Sequence, residues 1–228
     1  MKLLAIDTAS SICSVALLID GAILLEEEVL PQGHSEHLLG MADRLLAQAE
    51  LSITQLDAIA FGRGPGSFTG LRIGAGATQG IAFGAQLPVM PISNLAALAL
   101  RAIREHGAER VLTAFDARMN EIYWAGYQAD PATGVRLIID EAVTTAENAE
   151  IPDQYQWSGA GEGWKIHGEL LRVRCTDYLQ NTFEDLQCSA TEIALLAAQN
   201  FEPCQCVSPE NALPVYLRNN VARKSVPR

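Results

Sequence analysis

Apolar and polar residues fall into blocks along the first third of the chain, and the period of the blocks changes at Gly33. Leu3-Leu4-Ala5-Ile6 is a short apolar run that stops at Asp7-Thr8, and Ile12 to Ile19 is a second. Asp20-Gly21 follows, a pair suited to a tight hairpin turn because both central positions want positive φ. A third strand is predicted from Ala22 to about Leu30, closed by Pro31-Gln32-Gly33. The spacing then becomes helical. Leu38, Met41, Ala42, Leu45 and Ala49 form one stripe between His34 and Glu50, and Leu39 and Leu46 widen it. Asp57 to Gly62 reads as a strand and Gly64-Pro65-Gly66 as a turn. Ser67 can cap a helix from Phe68 to Ala85. Pro88 to Pro91 reads as a strand. Ser93 caps a helix from Asn94 to His106, which Gly107 stops. The first half is therefore β-β-β-α-β-α-β-α.

The second half starts in the same way. Val111 to Phe115 is a strand ending in Asp116, Glu121 to Tyr127 is a second, and Val135 to Ile139 is a third beyond the turn Asp130-Pro131-Ala132-Thr133-Gly134. Each half thus opens with a three-strand meander whose first strand ends in Asp, at Asp7 and at Asp116. The pattern predicts a duplicated α/β unit of two lobes with a cleft between them. Residues 1–107 form the first lobe and 108–212 a smaller second one, with the tail 213–228 packing back on the first. Ala190 to Asn200 is a helix, and residues 146 to 188 hold shorter elements of unassigned type.

Composition narrows the function. In 228 residues, 49% are hydrophobic and 19% charged, which excludes a disordered chain. Sixteen Lys and Arg against 27 Asp and Glu leave −11 formal charge. A surface that negative repels phosphate backbones, so tight independent binding of nucleic acid is not expected. Five scattered Cys, without a secretory leader, read as reduced thiols of a cytoplasmic protein. No apolar run reaches the roughly 18 residues of a membrane span.

Several segments carry candidate chemistry. Asp7, Thr8 and Ser10 lie at the tip of the first hairpin. In a duplicated fold such a tip can hold nucleotide phosphates while the Asp orients a hydrated metal; the four-residue match is weak, and a polar turn in which Asp7 accepts local N–H bonds is the favoured reading. The matching loop, Asp116-Ala117-Arg118-Met119-Asn120, lacks the Gly of a phosphate cradle. Arg118 there either holds a phosphate or pairs with Asp116 or Glu121. Ser158 to Gly163 reads as a Gly-rich loop, either an ordinary turn or one passing an adenosine face. His34 and His37 share a helix start, but no further ligands follow nearby, which favours a solvated helix end over a metal site. Cys204-Gln205-Cys206 offers two thiols and no second pair, too few for zinc. No Ser or Cys sits in a nucleophile elbow and no triad is visible, so the sequence shows no complete catalytic constellation and no metal site.

The glycines of the helix after Ser67 are the most informative feature. Gly70, Gly74, Gly76, Gly80 and Gly84 each cost about 0.5–1 kcal/mol relative to Ala in a helix. Gly70, Ile73, Gly74, Ala77, Ile81 and Gly84 share one face, flat enough for another backbone to approach. That backbone is either the protein's own sheet or a partner's helix. The preceding helix tilts the choice toward a partner, because its apolar band, which includes Leu39 and Leu46, covers more than a third of the circumference. Two such helices side by side suit dimerisation.

The combination of Ile6-Asp7-Thr8, Gly33-His34-Ser35-Glu36-His37-Leu38, Gly64-Pro65-Gly66-Ser67-Phe68-Thr69-Gly70-Leu71-Arg72, Asp116-Ala117-Arg118 and Pro214-Val215-Tyr216-Leu217-Arg218 resembles the bacterial TsaB (YeaZ) family over the length of the chain. The resemblance implies a two-lobe, duplicated actin-like ATPase fold of the sugar kinase, heat-shock protein and actin superfamily, α/β in class, with a mixed sheet in each lobe. It implies a non-catalytic scaffold for N6-threonylcarbamoylation of the adenosine 3′ of the anticodon in tRNAs that read codons starting with A. The partner implied is a TsaD-like catalytic subunit, with a TsaE-like ATPase joining that complex, a homodimer when the chain is alone, and tRNA reached only through the complex. The homodimer and the TsaD heterodimer of the family use overlapping N-terminal helical surfaces. No cofactor is expected for the isolated chain; ATP or ADP at the partner interface stays open. TsaD-like proteins carry a metal-binding His-x-x-x-His on the helix after the last strand of the first lobe, where this chain has Asn94 and Leu98. An amide and an alkyl chain do not replace two imidazoles. The alternative reading is an independent ATP-binding, ATPase or kinase-like enzyme using Asp7 and Asp116 across the cleft, and a peptidase fits least.

Overall fold

The computed structural model describes residues 1–152, 154–202 and 204–218. Asp20 and Gly21 both take positive φ, 49° and 92°, and make the predicted turn between β2 (Ile12–Ile19) and β3 (Ala22–Val29), with Ile19 opposite Ala22. β1 (Lys2–Asp7) lies antiparallel to β2 and parallel to β4 (Ala58–Gly64), and β5 (Val89–Ser93) follows β4. The sheet order is β3-β2-β1-β4-β5. Alternation along β1 and β2 sends Leu4, Ile6, Val15 and Leu17 to one face and Leu3, Ala5, Ala16 and Leu18 to the other. The first set packs under α1 (His34–Gln48) and α2 (Phe68–Ala85).

Local caps set the helix ends as expected. The Ser67 side chain accepts the N–H of Gly70 at 3.3 Å and starts α2. Ser93 accepts the N–H of Ala96 at 3.3 Å and starts α3 (Asn94–His106), and Gly107 in the left-handed region, φ 67°, ends it.

The second sheet repeats the first. β6 (Arg110–Asp116), β7 (Ile122–Asp130) and β8 (Gly134–Thr144) form the meander, and β9 (Trp157–Ala160) and β10 (Leu179–Phe183) add in parallel to β6. Its order, β8-β7-β6-β9-β10, is that of the first sheet element for element. α4 (Glu162–Ile166) and α5 (Gly168–Arg174) cover one face, where Trp164 of α4 packs with Trp124 and Trp157. α3 lies on the other face and also touches β4 and β5, so a single apolar cluster runs from Leu3 and Ala5 through Leu95 and Leu98 to Val111 and Phe115.

Three expectations need correction. α6 (Ala190–Gln199) does not belong to the second lobe. It packs on β1, β2, β4 and β5, burying Ile193, Ala194 and Ala197, because the chain returns to the first sheet after β10. The tail does not rest on the first lobe alone. Val215 donates its N–H to the Arg63 carbonyl at 2.8 Å, whereas Arg218 reaches the second lobe at Ala117 O, also 2.8 Å. Positions 219–228 of that tail lie outside the described residues. Ser158 to Gly163 is no open loop. It is buried β9 running into α4, and its glycines admit neighbours: a Cβ on Gly159 would stand 2.4 Å from the Trp164 ring. Among the described residues no helix is long and apolar enough to cross a membrane.

Candidate docking face and the cleft site

The hairpin tip proposed for phosphates is occupied by the chain's own groups. Asp7 is 1% exposed. Its Oδ1 accepts the Asn94 side-chain amide at 2.8 Å and the Ala9 N–H at 3.2 Å. Asn94 is also fully buried, and its Oδ1 accepts the Gly64 N–H at 2.8 Å. Asp7 Oδ2 has no hydrogen-bond partner. Burial raises the Asp7 pKa against the opposing pull of the Asn94 bond, which holds the carboxyl toward its neutral form. Glycine at 62 leaves the room, since a Cβ there would stand 2.5 Å from Oδ1. Thr8 is buried and donates its hydroxyl to the Gly70 carbonyl at 2.7 Å. Ser10 Oγ accepts the Ile12 N–H at 3.1 Å.

Among the described residues Asp116 shares no hydrogen bond or ion pair with this cluster. It pairs with Arg118 at 3.0 Å, while Glu121 pairs with Arg218. Arg118, Met119 and Asn120 take φ of 61°, 56° and 61°, so the loop turns through three left-handed residues without glycine. Asp7 is thus buried and bonded within the chain, and Asp116 is paired with Arg118. Leu98 is buried and reaches the backbone at Gly161, where a Cβ would meet it at 2.7 Å. His34 is not a solvated helix end: its Nε2 lies 3.0 Å from the Ser10 carbonyl, while His37 faces Glu28 at 3.1 Å.

The glycine face of α2 divides into rows that helical-wheel reasoning merged. Gly70 and Gly74 belong to the protein's own packing. A Cβ on Gly70 would stand 2.0 Å from the Thr8 carbonyl oxygen and one on Gly74 2.6 Å from Thr8 Oγ1. Ile73, Ala77 and Ile81 are half-buried beside the core under α1. Gly76, Gly80 and Gly84 point outward, where a Cβ would meet nothing within 4 Å. On α1, Leu46 is buried and Leu39 is 52% exposed. Between the helices lies a groove of about 260 Å³ lined by Leu39, Ala42, Leu46, Gly80, Ile81 and Gly84, with Asp43 as a charged member of the lining. Phe83, 75% exposed, stands beyond it. Sequence reasoning found this pair of helices but missed Asn94 as an internal clamp and the outward role of Gly76 and Gly80. The even spacing of 76, 80 and 84 was the available signal.

Comparison with known proteins bears on the family and the fold. The sequence model of a family described as TsaD, tRNA N6-adenosine threonylcarbamoyltransferase, matches residues 28–225. The tRNA threonylcarbamoyladenosine biosynthesis protein TsaB of Escherichia coli is 42% identical over 230 residues, covering 100% of this chain and 99% of that protein. Its Haemophilus influenzae counterpart is 40% identical, covering 100% and 98%. Among solved structures, YeaZ from Pseudomonas aeruginosa superposes with a TM-score of 0.85 at 43% identity, covering 95% of this chain and 99% of that one. Two mixed sheets of identical strand order match the expected duplicated, actin-like α/β architecture. Full-length identity and a shared fold lead to one assignment: the chain belongs to the TsaB (YeaZ) family.

Proposed function

We propose that the chain serves tRNA threonylcarbamoyladenosine biosynthesis as a non-catalytic subunit that docks a TsaD-like transferase on its α1–α2 face. The observation that carries this is the outward row of Gly76, Gly80 and Gly84 beside exposed Leu39, above an apolar groove. Helix glycines with open space around them cost stability and fill no internal need, so a backbone from outside is the natural recipient of that flatness. The cleft supports the non-catalytic part. Asp7 Oδ1, the Asn94 amide and the Thr8 hydroxyl bond to one another and to the backbone. In this reading the isolated chain needs no cofactor, self-associates through the same face, reaches a TsaE-like ATPase and tRNA only through the complex, and works in the cytoplasm. The −11 charge fits a subunit that leaves RNA contact to its partner.

Co-purification with a TsaD-like protein tests the reading. Gly80→Arg places a long charged side chain over the groove without touching the protein's own core, so it is expected to abolish association while leaving the melting temperature intact. Normal association of that variant rejects this surface. Calorimetry with Mg-ATP on the isolated chain tests the cleft, and nucleotide turnover by the chain alone returns the kinase-like reading.

A further inference from the structure

Arg72 is the only charged residue of α2, and it lies outside the groove lining. It stands four residues before Gly76 on the row that continues through Gly80 and Gly84, and Phe68 precedes it at the same spacing. The Arg72 guanidinium carbon is 3.2 Å from the centre of the Phe68 ring and 5.4 Å from that of Tyr216, and the two rings are 5.9 Å apart. One of its N–H groups reaches the Phe68 carbonyl at 3.4 Å. The tail brings Tyr216 here, because Val215 donates its N–H to the Arg63 carbonyl. All three side chains are exposed, Phe68 at 62% and Tyr216 at 45%. Their charge environment differs from the rest of the chain. Of 27 Asp and Glu, none falls between Ala58 and Arg104 or from Asn211 onward. These two acid-free stretches meet where Tyr216 lies beside Phe68. Arg63 pairs with Glu141 and Arg218 with Glu121, but Arg72 has no carboxylate partner among the described residues.

We infer that Phe68, Arg72 and Tyr216 anchor an acidic side chain of the TsaD-like partner at the end of the glycine row. The inference rests on the docking reading of α1 and α2 and adds the partner's chemistry: a carboxylate flanked by apolar surface that covers the two rings. Aromatic faces hold a guanidinium by cation–π attraction without neutralising it. A fork held in one orientation binds a carboxylate through two parallel N–H bonds with little further loss of freedom. The position fits the row. A backbone lying along Gly84, Gly80 and Gly76 meets Arg72 about 6 Å beyond Gly76 along the helix axis. Charge sets the direction of that backbone. Asp43 stands in the groove lining with Gly80 and Gly84, so the partner's acidic end is repelled there and drawn to Arg72. Nucleic acid fits less well. A base could stack on the rings, but one arginine on a chain of −11 charge does not hold a phosphate backbone.

The test measures the affinity of the full chain for the purified TsaD-like partner as salt is raised. Arg72→Gln is expected to weaken association about tenfold or more and to flatten its salt dependence. Arg72→Glu weakens it further, and Arg72→Lys, which keeps the charge without the fork, loses less than Arg72→Gln. Arg72 is exposed, so the three variants keep the wild-type melting temperature and their losses are not unfolding. Gly80→Arg is measured beside them. If Gly80→Arg abolishes association while Arg72→Gln binds as the wild type does, the anchor is overturned and the docking face stands. Wild-type affinity in Gly80→Arg removes the face and the anchor with it. Equal losses in Arg72→Gln and Arg72→Glu, with salt dependence unchanged, assign the contact to the rings and overturn the carboxylate. So does binding of a single-stranded oligoribonucleotide by the isolated chain that Arg72→Gln loses.

Discussion

Asn94 donates its side-chain amide to Asp7 across 2.8 Å while its own carbonyl accepts the Gly64 N–H at the same distance. One amide thereby joins the start of α3 to the ends of β1 and β4. Asn94→Leu leaves the Gly64 N–H buried without a partner and the Asp7 carboxyl with only its Ala9 bond. It is expected to cost about 2–4 kcal/mol in urea denaturation. Asp7→Asn keeps the acceptor that Asn94 uses and removes a group that burial already holds toward neutrality, so about 1 kcal/mol or less is expected. Equal costs for the two variants would mean the carboxylate has a role this geometry does not contain.

The rows on α2 predict opposite signs for the same substitution. Gly70→Ala brings a Cβ against the Thr8 carbonyl and is expected to destabilise by about 1–3 kcal/mol. Gly76→Ala meets open space and is expected to stabilise by about 0.5–1 kcal/mol. Gly80→Ala also stabilises but adds a methyl group to the groove, so association with the partner weakens as the melting temperature rises. Thermal melts and pull-downs of the three variants check this.

Arg218 ties the loop after β6 to the tail. It donates to Ala117 O at 2.8 Å and pairs with Glu121. Three consecutive left-handed residues cost of order 1 kcal/mol each unless held. Arg218→Ala is expected to speed amide exchange across residues 117–121, with global stability changing by about 1 kcal/mol or less. Unchanged exchange there would show that the Arg118–Asp116 pair is sufficient.

Glu192, in the first turn of α6, is buried beside Arg104. Its pKa rises from 4.5 to about 7 because burial outweighs the attraction of Arg104 and Arg101. A raised carboxyl makes the folded state bind more protons than the unfolded one between those values, so stability falls as pH climbs from 4.5 toward 7. The effect is of order 1–3 kcal/mol. Denaturation between pH 5 and pH 8 is expected to show the decline, and Glu192→Gln to flatten it. An unchanged slope in the variant assigns the decline to other groups.

Local signals carried much of this fold. α2 and α3 run from Phe68 to Ala85 and from Asn94 to His106 as expected, because Ser67, Ser93 and Gly107 write their ends into adjacent residues. The duplicated meander was legible from strand spacing and the paired Asp7 and Asp116. Features that depend on distant partners were not. The apolar face of α6 is visible in its sequence, but nothing nearby says that the first sheet covers it. Gly74 and Gly80 are the same residue on the same helix, yet Thr8 lies beneath one and solvent beneath the other. At the candidate site, Asn94 was recognised as the wrong ligand for a metal. Its true partners, Asp7 and Gly64, are 87 and 30 positions away.

All three tryptophans, Trp124, Trp157 and Trp164, lie in the core of the second sheet, and the first lobe has none. Intrinsic emission therefore watches only one half of the molecule. A partner arriving on α1 and α2 lands on the dark half, and a change in the emission of these three tryptophans on its arrival would report a signal transmitted from one lobe to the other.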